Sequence, residues 1–344
     1  MKALLIGLGF FSQNCHLKLL KKNRSIKKIY VFDEREQLTK NIAKKFNVIN
    51  LNKKDFKNLK KKIDFAIVST DRSLTYKYSK LILSKKINLL SEKPMAFNYK
   101  YAKKLHDLAK INRVLYEVGY QKNHDTNFKI IKKKLENLNK IYGDLNETSF
   151  ELFGGDFRLN KKTLVRTNEH LKLLKYHFPI FLKKKFHINY IVFLNRYLHS
   201  IFLFFDLFKI NNIDQLKLIK FKILDVYNYK LNFIYNNIKV SFNFANYKPV
   251  GWHDKLFLSF DKLKIQQNFK SPLLFKLSTI KMVPNGKNFK NKPIDFKKDG
   301  SNHFEKQLNF FIFKIKNSNK GNSSLSLLTH KFVDKIWKLS NDKK

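Results

Sequence analysis

Four short stretches hold residue types that can do chemistry together. Gly7-Leu8-Gly9-Phe10-Phe11-Ser12 sits between an apolar strand and a helical pattern. There Gly7 permits a tight turn, Gly9 lets a pyrophosphate approach the backbone, and Ser12 stands where a third glycine is usual. The helix start beyond it offers N–H groups and a favourable dipole to phosphate. Asp33 ends the next strand, where a carboxylate accepts hydrogen bonds from an adenosine ribose. Val68-Ser69-Thr70 ends a third, putting Ser69 and Thr70 where a dinucleotide crosses the sheet, although such a pair alone is more often a helix cap. Glu92-Lys93-Pro94 follows a short apolar strand at 87–90. A lysine held at a strand end and followed by a ring-locked residue presents its ammonium to a bound cofactor. The chemistry these stretches point to is hydride transfer with a nicotinamide dinucleotide. The acid at 33 favours NAD by repelling a 2′-phosphate, and Arg35 leaves room for NADP. A glycine turn that binds nothing is the bland alternative.

The elements that must position these residues are legible in the hydrophobic pattern. Apolar runs at 2–6, 28–32, 65–69, 87–90 and 114–118 read as strands covered on both faces. Helical patterns at 12–22, 36–45, 74–85 and 99–111 alternate with them. That rhythm predicts an α/β fold with a doubly wound parallel sheet over residues 1–120. From 121 to 344 the pattern changes to a second α/β domain with a large, mainly antiparallel open sheet. Its strands are expected at 150–153, 216–224, 230–235, 240–244, 255–260 and 262–266. Helices are expected at 127–138, around 193–208, and at 302–316 and 324–339. The final two helices are free to pack back on the first domain, and 284–300 reads as an exposed loop.

Composition narrows the class further. Of 344 residues, 71 are Lys or Arg and 26 are Asp or Glu, giving a formal net charge of +45. That charge ordinarily indicates a polyanionic partner. Yet the only arginines are Arg24, Arg35, Arg72, Arg113, Arg158, Arg166 and Arg196. Arginine is what bidentate phosphate and base recognition favours. The lysine excess reads as compositional drift on a solvated surface, so dedicated nucleic-acid binding is not expected. Cys15 stands alone, which excludes a disulfide framework and points to a reducing, cytoplasmic compartment. The apolar start is too short for a signal peptide. The apolar stretch 188–208 contains Asn195, Arg196, His199 and Asp206, each costly at a bilayer centre, so a buried core helix is expected there. No zinc-type histidine pair occurs, and no metal is expected.

With these motifs in view, the chain resembles the glucose–fructose oxidoreductase, inositol dehydrogenase and MocA group of NAD(P)-dependent oxidoreductases. The resemblance rests on Gly7-Leu8-Gly9-Phe10, Val68-Ser69-Thr70, Glu92-Lys93-Pro94, Gly119-Tyr120-Gln121 and the helix holding Asn195 to His199. It implies a Rossmann domain followed by an α/β domain whose open sheet forms the interface of a homo-oligomer, a dimer or tetramer. The implied cofactor contacts are Gly7, Gly9, Phe10, Phe11, Asp33, Ser69, Thr70, Glu92, Lys93 and Gln121. Lys93 is implied to lie near the nicotinamide, with a cis peptide before Pro94, and burial beside the cofactor would lower its pKa. The family carries an acid and, four residues later, a histidine on one helix face. Here that pair is Asn195 and His199, so the acid position holds an amide that cannot exchange a proton. Catalysis then falls to Lys93 and His199, with Asn195, Tyr197, Gln121 and His124 as substrate contacts. The implied substrate is a sugar, sugar derivative or polyol, nucleotide-linked substrates included. Asn195 to His199 with Gly154-Gly155-Asp156 is similar to a branch associated with surface-polysaccharide metabolism. Asp71-Arg72 and Lys122-Asn123-His124 depart from the family pattern. With Asn195, the Asp71-Arg72 segment keeps a non-catalytic dinucleotide-binding member open as the alternative.

Overall fold

The computed structural model describes residues 1–154, 164–246, 252–274, 276–285, 302–317 and 321–341. Gly155 and Asp156, and all but the start of the expected 284–300 loop, lie outside the described residues. The chain divides into two compact units. One comprises Met1–Gly119, Leu159–Pro179 and Gln307–His330; the other comprises Tyr120–Arg158, Ile180–Lys306 and Lys331–Lys344.

The first unit alternates strands and helices. In chain order these are β1 (Lys2–Ile6), α1 (Leu17–Lys22), β2 (Lys28–Phe32), α2 (Glu36–Phe46), β3 (Ile49–Asn50), α3 (Leu59–Lys62), β4 (Phe65–Val68), α4 (Arg72–Ser84), β5 (Asn88–Glu92), α5 (Tyr99–Ile111) and β6 (Tyr116–Gly119). The strands form one parallel sheet in the order β3-β2-β1-β4-β5-β6. This is the doubly wound order in which ligands bind beyond the carboxyl ends of the strands. The apolar runs of β1 and β4 are buried because helices cover both faces. Sequence reading missed β3, whose two residues carry no pattern. It also stopped β5 at 90, where the apolar run ends. Parallel pairing of Ser91 with Val118 and of Glu92 with Gly119 carries the strand on through polar residues.

The second unit begins with α6 (Thr126–Tyr142), capped by Asp125, whose carboxylate accepts from the Phe128 N–H at 3.1 Å. It continues through β7 (Leu145–Gly154), α7 (His187–Arg196), α8 (Leu198–Leu207), β8 (Leu216–Ile223), β9 (Tyr229–Tyr235), β10 (Ile238–Ala245), β11 (Trp252–Phe260), β12 (Leu263–Asn268) and β13 (Thr279–Pro284). Helices α9 (His303–Lys316) and α10 (Ser323–Asn341) close the chain. The seven strands form a sheet in the order β13-β12-β11-β7-β10-β9-β8, antiparallel except where β7 and β10 run parallel. Strict alternation buries Phe150, Leu231, Phe233, Phe242, Phe244, Leu256 and Leu258 on one face. Aromatic edges from the helices fill that face: Phe204 lies 6.0 Å from Phe242, and Phe193 lies 5.7 Å from Trp337. Each fully buried aromatic of this kind contributes about 1.5–3 kcal/mol.

The apolar stretch 188–208 is not one helix. It forms α7 and α8, bent by 51°, with Tyr197 at the break and α8 buried almost throughout. Among the described residues no single helix is long and apolar enough to cross a membrane, though this bent pair passes the length and composition test together.

A buried histidine in α10 sets an acid limit on the first unit. Burial lowers the pKa of His330 from 6.5 to about 4. The unfolded chain therefore takes up a proton before the folded chain does, and stability falls as pH drops through that window. One such group costs about 2 kcal/mol by pH 5. His303, in the second unit, is lowered to about 4 by the same cause. Urea unfolding at pH 7 and pH 5 is expected to show this loss, and His330→Met is expected to reduce it. An unchanged pH dependence in that variant counts against the assignment.

Candidate functional site

Within the first unit, the glycine turn and the ends of β4 and β5 gather at one edge of the parallel sheet. Gly7 has φ +89°, and a Cβ there would come within 2.8 Å of the Thr70 Cα. A side chain is thus excluded both by backbone conformation and by the approach of the Ser69-Thr70 segment. Over Gly9 a Cβ would meet no atom within 4 Å, so its backbone is open to an approaching group. The Ser69 carbonyl accepts from Ser12 Oγ at 3.3 Å, and Thr70 Oγ1 lies 3.4 Å from Thr75 Oγ1. Neither residue caps α4. That role falls to Asp71, whose carboxylate accepts from the Ser73 N–H at 2.9 Å.

Beyond Gly9, residues Ser12–His16 form a wide π turn before α1, a device that recurs at functional sites. Phe10 and Phe11 are half-buried there, with Phe11 6.0 Å from the His16 ring. The same turn brings His16 Nε2 to 2.8 Å from Glu92 Oε1. Sequence reading missed His16, because nothing in local spacing links it to a strand end 76 residues away. Glu92 packs against Gly119, where a Cβ would lie 3.2 Å from the carboxylate. Lys93 is half-buried, follows Glu92 directly, and is joined to buried Pro94 by a cis peptide.

Asp33 is buried and heavily engaged. Its Oδ2 accepts from the Leu8 N–H at 2.7 Å, which ties the end of β2 to the glycine turn. Arg35 forks onto it, with Nε 2.8 Å from Oδ1 and Nη2 3.0 Å from Oδ2. The guanidinium pKa is raised, chiefly by the hydrogen bond to Asp33. Glu34 beside it pairs with Lys53 and Lys77 and accepts from Tyr78. Burial opposes ionisation, but these hydrogen bonds prevail and lower its pKa to about 2.

Within the second unit, Gln121 and His124 lie buried in a single turn after β6. The preceding Tyr120 stacks on Phe202 at 3.7 Å and meets the His199 ring edge-on at 5.7 Å. His199 opens α8 and is 8% exposed. Asn195 is exposed in the last turn of α7. The break at Tyr197 separates the two, so the four-residue spacing does not place them on one continuous helix face. Tyr197 itself belongs to the core. Its hydroxyl donates to the Tyr227 carbonyl at 2.6 Å and its ring stacks on Phe244 at 4.2 Å. That placement departs from the expected substrate contact, and burial pushes its phenol well above the ordinary value. Lys122 forms a buried ion pair with Asp254 that the sequence did not reveal. Asp125 accepts from the Ser278 N–H at 2.9 Å and hydroxyl at 2.7 Å, anchoring the same turn. Among the described residues, no group of three or more His, Cys, Asp or Glu could hold a metal ion.

Comparison with solved structures finds the same architecture at low sequence identity. KijD10, a 3-ketoreductase from Actinomadura kijaniata solved with NADP and TDP-benzene, superposes with a TM-score of 0.71 at 12% identity, covering 98% of this chain and 96% of that one. UDP-N-acetylglucosamine 3-dehydrogenase GnnA from Acidithiobacillus ferrooxidans gives 0.69 at 11%, covering 100% and 99%. The dehydrogenase MviM from Clostridium difficile gives 0.68 at 14%, covering 98% and 99%. At such identities the likeness is one of fold. No curated protein matches the chain. Residues 1–120 match the GFO_IDH_MocA family, described as an oxidoreductase family with an NAD-binding Rossmann fold. The glycine turn, the strand order and the Glu-Lys-Pro strand end all lie inside that match, and this segment of the chain belongs to the GFO_IDH_MocA oxidoreductase family.

Proposed function

We propose that the chain is an NAD(P)-dependent oxidoreductase, favouring NAD, that moves a hydride between the nicotinamide and a sugar, a sugar derivative or a polyol. Nucleotide-linked sugars and surface-polysaccharide metabolism fall within this reading. The observation that carries it is the single sheet edge where the Gly7 turn, Asp33, Ser69-Thr70 and Glu92-Lys93-Pro94 end adjacent parallel strands. The open backbone at Gly9 fits a pyrophosphate there. The dinucleotide, when bound, supplies or accepts the hydride. Lys93 supplies a cation for the oxygen whose charge changes during transfer. From the second unit, His199 is assigned a proton-handling role and Gln121 and His124 substrate contacts. The relatives named as a 3-ketoreductase and a UDP-N-acetylglucosamine 3-dehydrogenase support the sugar class.

Asn195, at the position where an acid is expected, motivates the alternative of a dinucleotide-binding protein without turnover. Nicotinamide absorbance followed in both directions with a panel of sugars and nucleotide sugars separates the two. Turnover on at least one supports the enzyme. Tight dinucleotide binding with no turnover on any member supports the alternative. A second copy packing on the open face of the second sheet, around partly exposed Phe153, Ile234 and Phe257, belongs to the same reading. Light scattering tests it, and a monomer at working concentrations rules it out.

A further inference from the structure

The segment 164–179 belongs to the first unit and runs along its cofactor-binding edge. Gln13 holds one end by a two-way amide bond: its Oε1 accepts from the Val165 N–H at 2.9 Å and its Nε2 donates to the Val165 carbonyl at 3.1 Å. Toward the other end, Tyr176 stacks on Phe97 at 4.4 Å, and the Asn98 side-chain amide donates to the His177 carbonyl at 2.5 Å. Between these anchors Leu174 N–H meets Ser73 Oγ at 3.3 Å at the start of α4. The segment thus touches the loops that follow β1, β4 and β5.

After β2 it places a carboxylate. Glu169 Oε1 accepts from the Gln37 N–H at 3.0 Å and Oε2 from the Leu38 N–H at 2.9 Å, at the start of α2. Thr167 Oγ1 donates to the same carboxylate at 3.0 Å. These backbone donors stand four and five residues after Asp33, beside Arg35. In this fold Asp33 takes the adenosine ribose, and a nearby arginine accommodates a 2′-phosphate. Here both provisions for a phosphate are already taken: Arg35 forks onto Asp33, and the α2 donors are filled by an internal anion.

We propose that Glu169 is a specificity-determining residue that selects NAD over NADP. This rests on the dinucleotide reading above. A 2′-phosphate arriving at this corner meets a fixed carboxylate where it needs donors, whereas the bare 2′-hydroxyl of NAD carries no charge to repel. Anchoring at Gln13, Phe97 and Asn98 holds the carboxylate in place, so the discrimination is built into the fold of the unit.

Dissociation constants for NAD and NADP, measured by calorimetry on the full chain at low salt, test it. Wild type is expected to bind NAD more tightly. Glu169→Gln removes the charge at nearly constant shape, and is expected to lower the ratio of the NADP to the NAD constant about tenfold. Glu169→Ala is expected to do at least as much, and added salt is expected to shrink the wild-type preference. Wild type that binds NADP as tightly as NAD, or folded variants with the wild-type ratio, overturn the selector and leave the cofactor reading standing. A folded wild-type chain that binds neither dinucleotide overturns the cofactor reading and the selector with it.

Discussion

Lys93→Ala is expected to lower kcat by about a hundred- to ten-thousand-fold, the range found when a positioned acid–base or charge-stabilising group is removed. The dinucleotide dissociation constant is expected to change far less, because the turn at Gly7 and the ribose site at Asp33 are separate features of the same unit. Lys93→Arg keeps the charge but not a transferable proton, and distinguishes electrostatic stabilisation from proton transfer. If arginine restores most of the rate, the ammonium acts as a fixed charge. If it does not, the proton is part of the step. A Lys93→Ala protein with wild-type kcat would sink the mechanism. Position 195 gives this test its weight, since an amide there leaves Lys93 and His199 as the assigned proton-handling side chains.

The second large effect is structural. Lys122 and Asp254 face each other at 6% and 4% side-chain exposure. Burial raises the Asp254 pKa, and the neighbouring Lys122 opposes the shift. Removing one member strands the other charge away from water, at a cost of about 3–5 kcal/mol. Asp254→Ala is therefore expected to lower the urea midpoint of the second unit sharply. Lys122→Met is expected to do the same and to loosen the turn that carries Gln121 and His124. Combining Lys122→Met with Asp254→Leu removes both charges and is expected to recover most of the loss. Equal midpoints for wild type and Asp254→Ala would show that the pair contributes nothing.

Much of the site was legible because its signals are local. A glycine forced to φ +89° by a strand–helix turn leaves its mark within a few residues, and Gly7 could be named from the sequence alone. Asp33 and Lys93 sit at strand ends, and an apolar run announces where a strand ends. Elements failed where local pattern failed. Strand β3 has two residues, and β5 continues through Ser91 and Glu92 only because β6 pairs with them. The helix expected around 193–208 is broken because Tyr197 is held on Phe244 and the Tyr227 carbonyl, contacts that no helical periodicity records.

By itself the sequence determined the alternating strands and helices, the glycine turn, the lysine at the end of β5 and the resemblance to NAD(P)-dependent oxidoreductases. All of these follow from steric and hydrophobic rules that act over a few residues. Tertiary structure alone decided the partners. It set His16 on Glu92, 76 residues apart, and Glu169 on the start of α2, across 132 residues. It also turned Arg35 back onto Asp33 and moved Tyr197 from the expected substrate set into the core. Such pairings depend on where distant segments return in space. That return is fixed by burial and backbone hydrogen bonding across the whole unit, and short-range spacing carries no record of it.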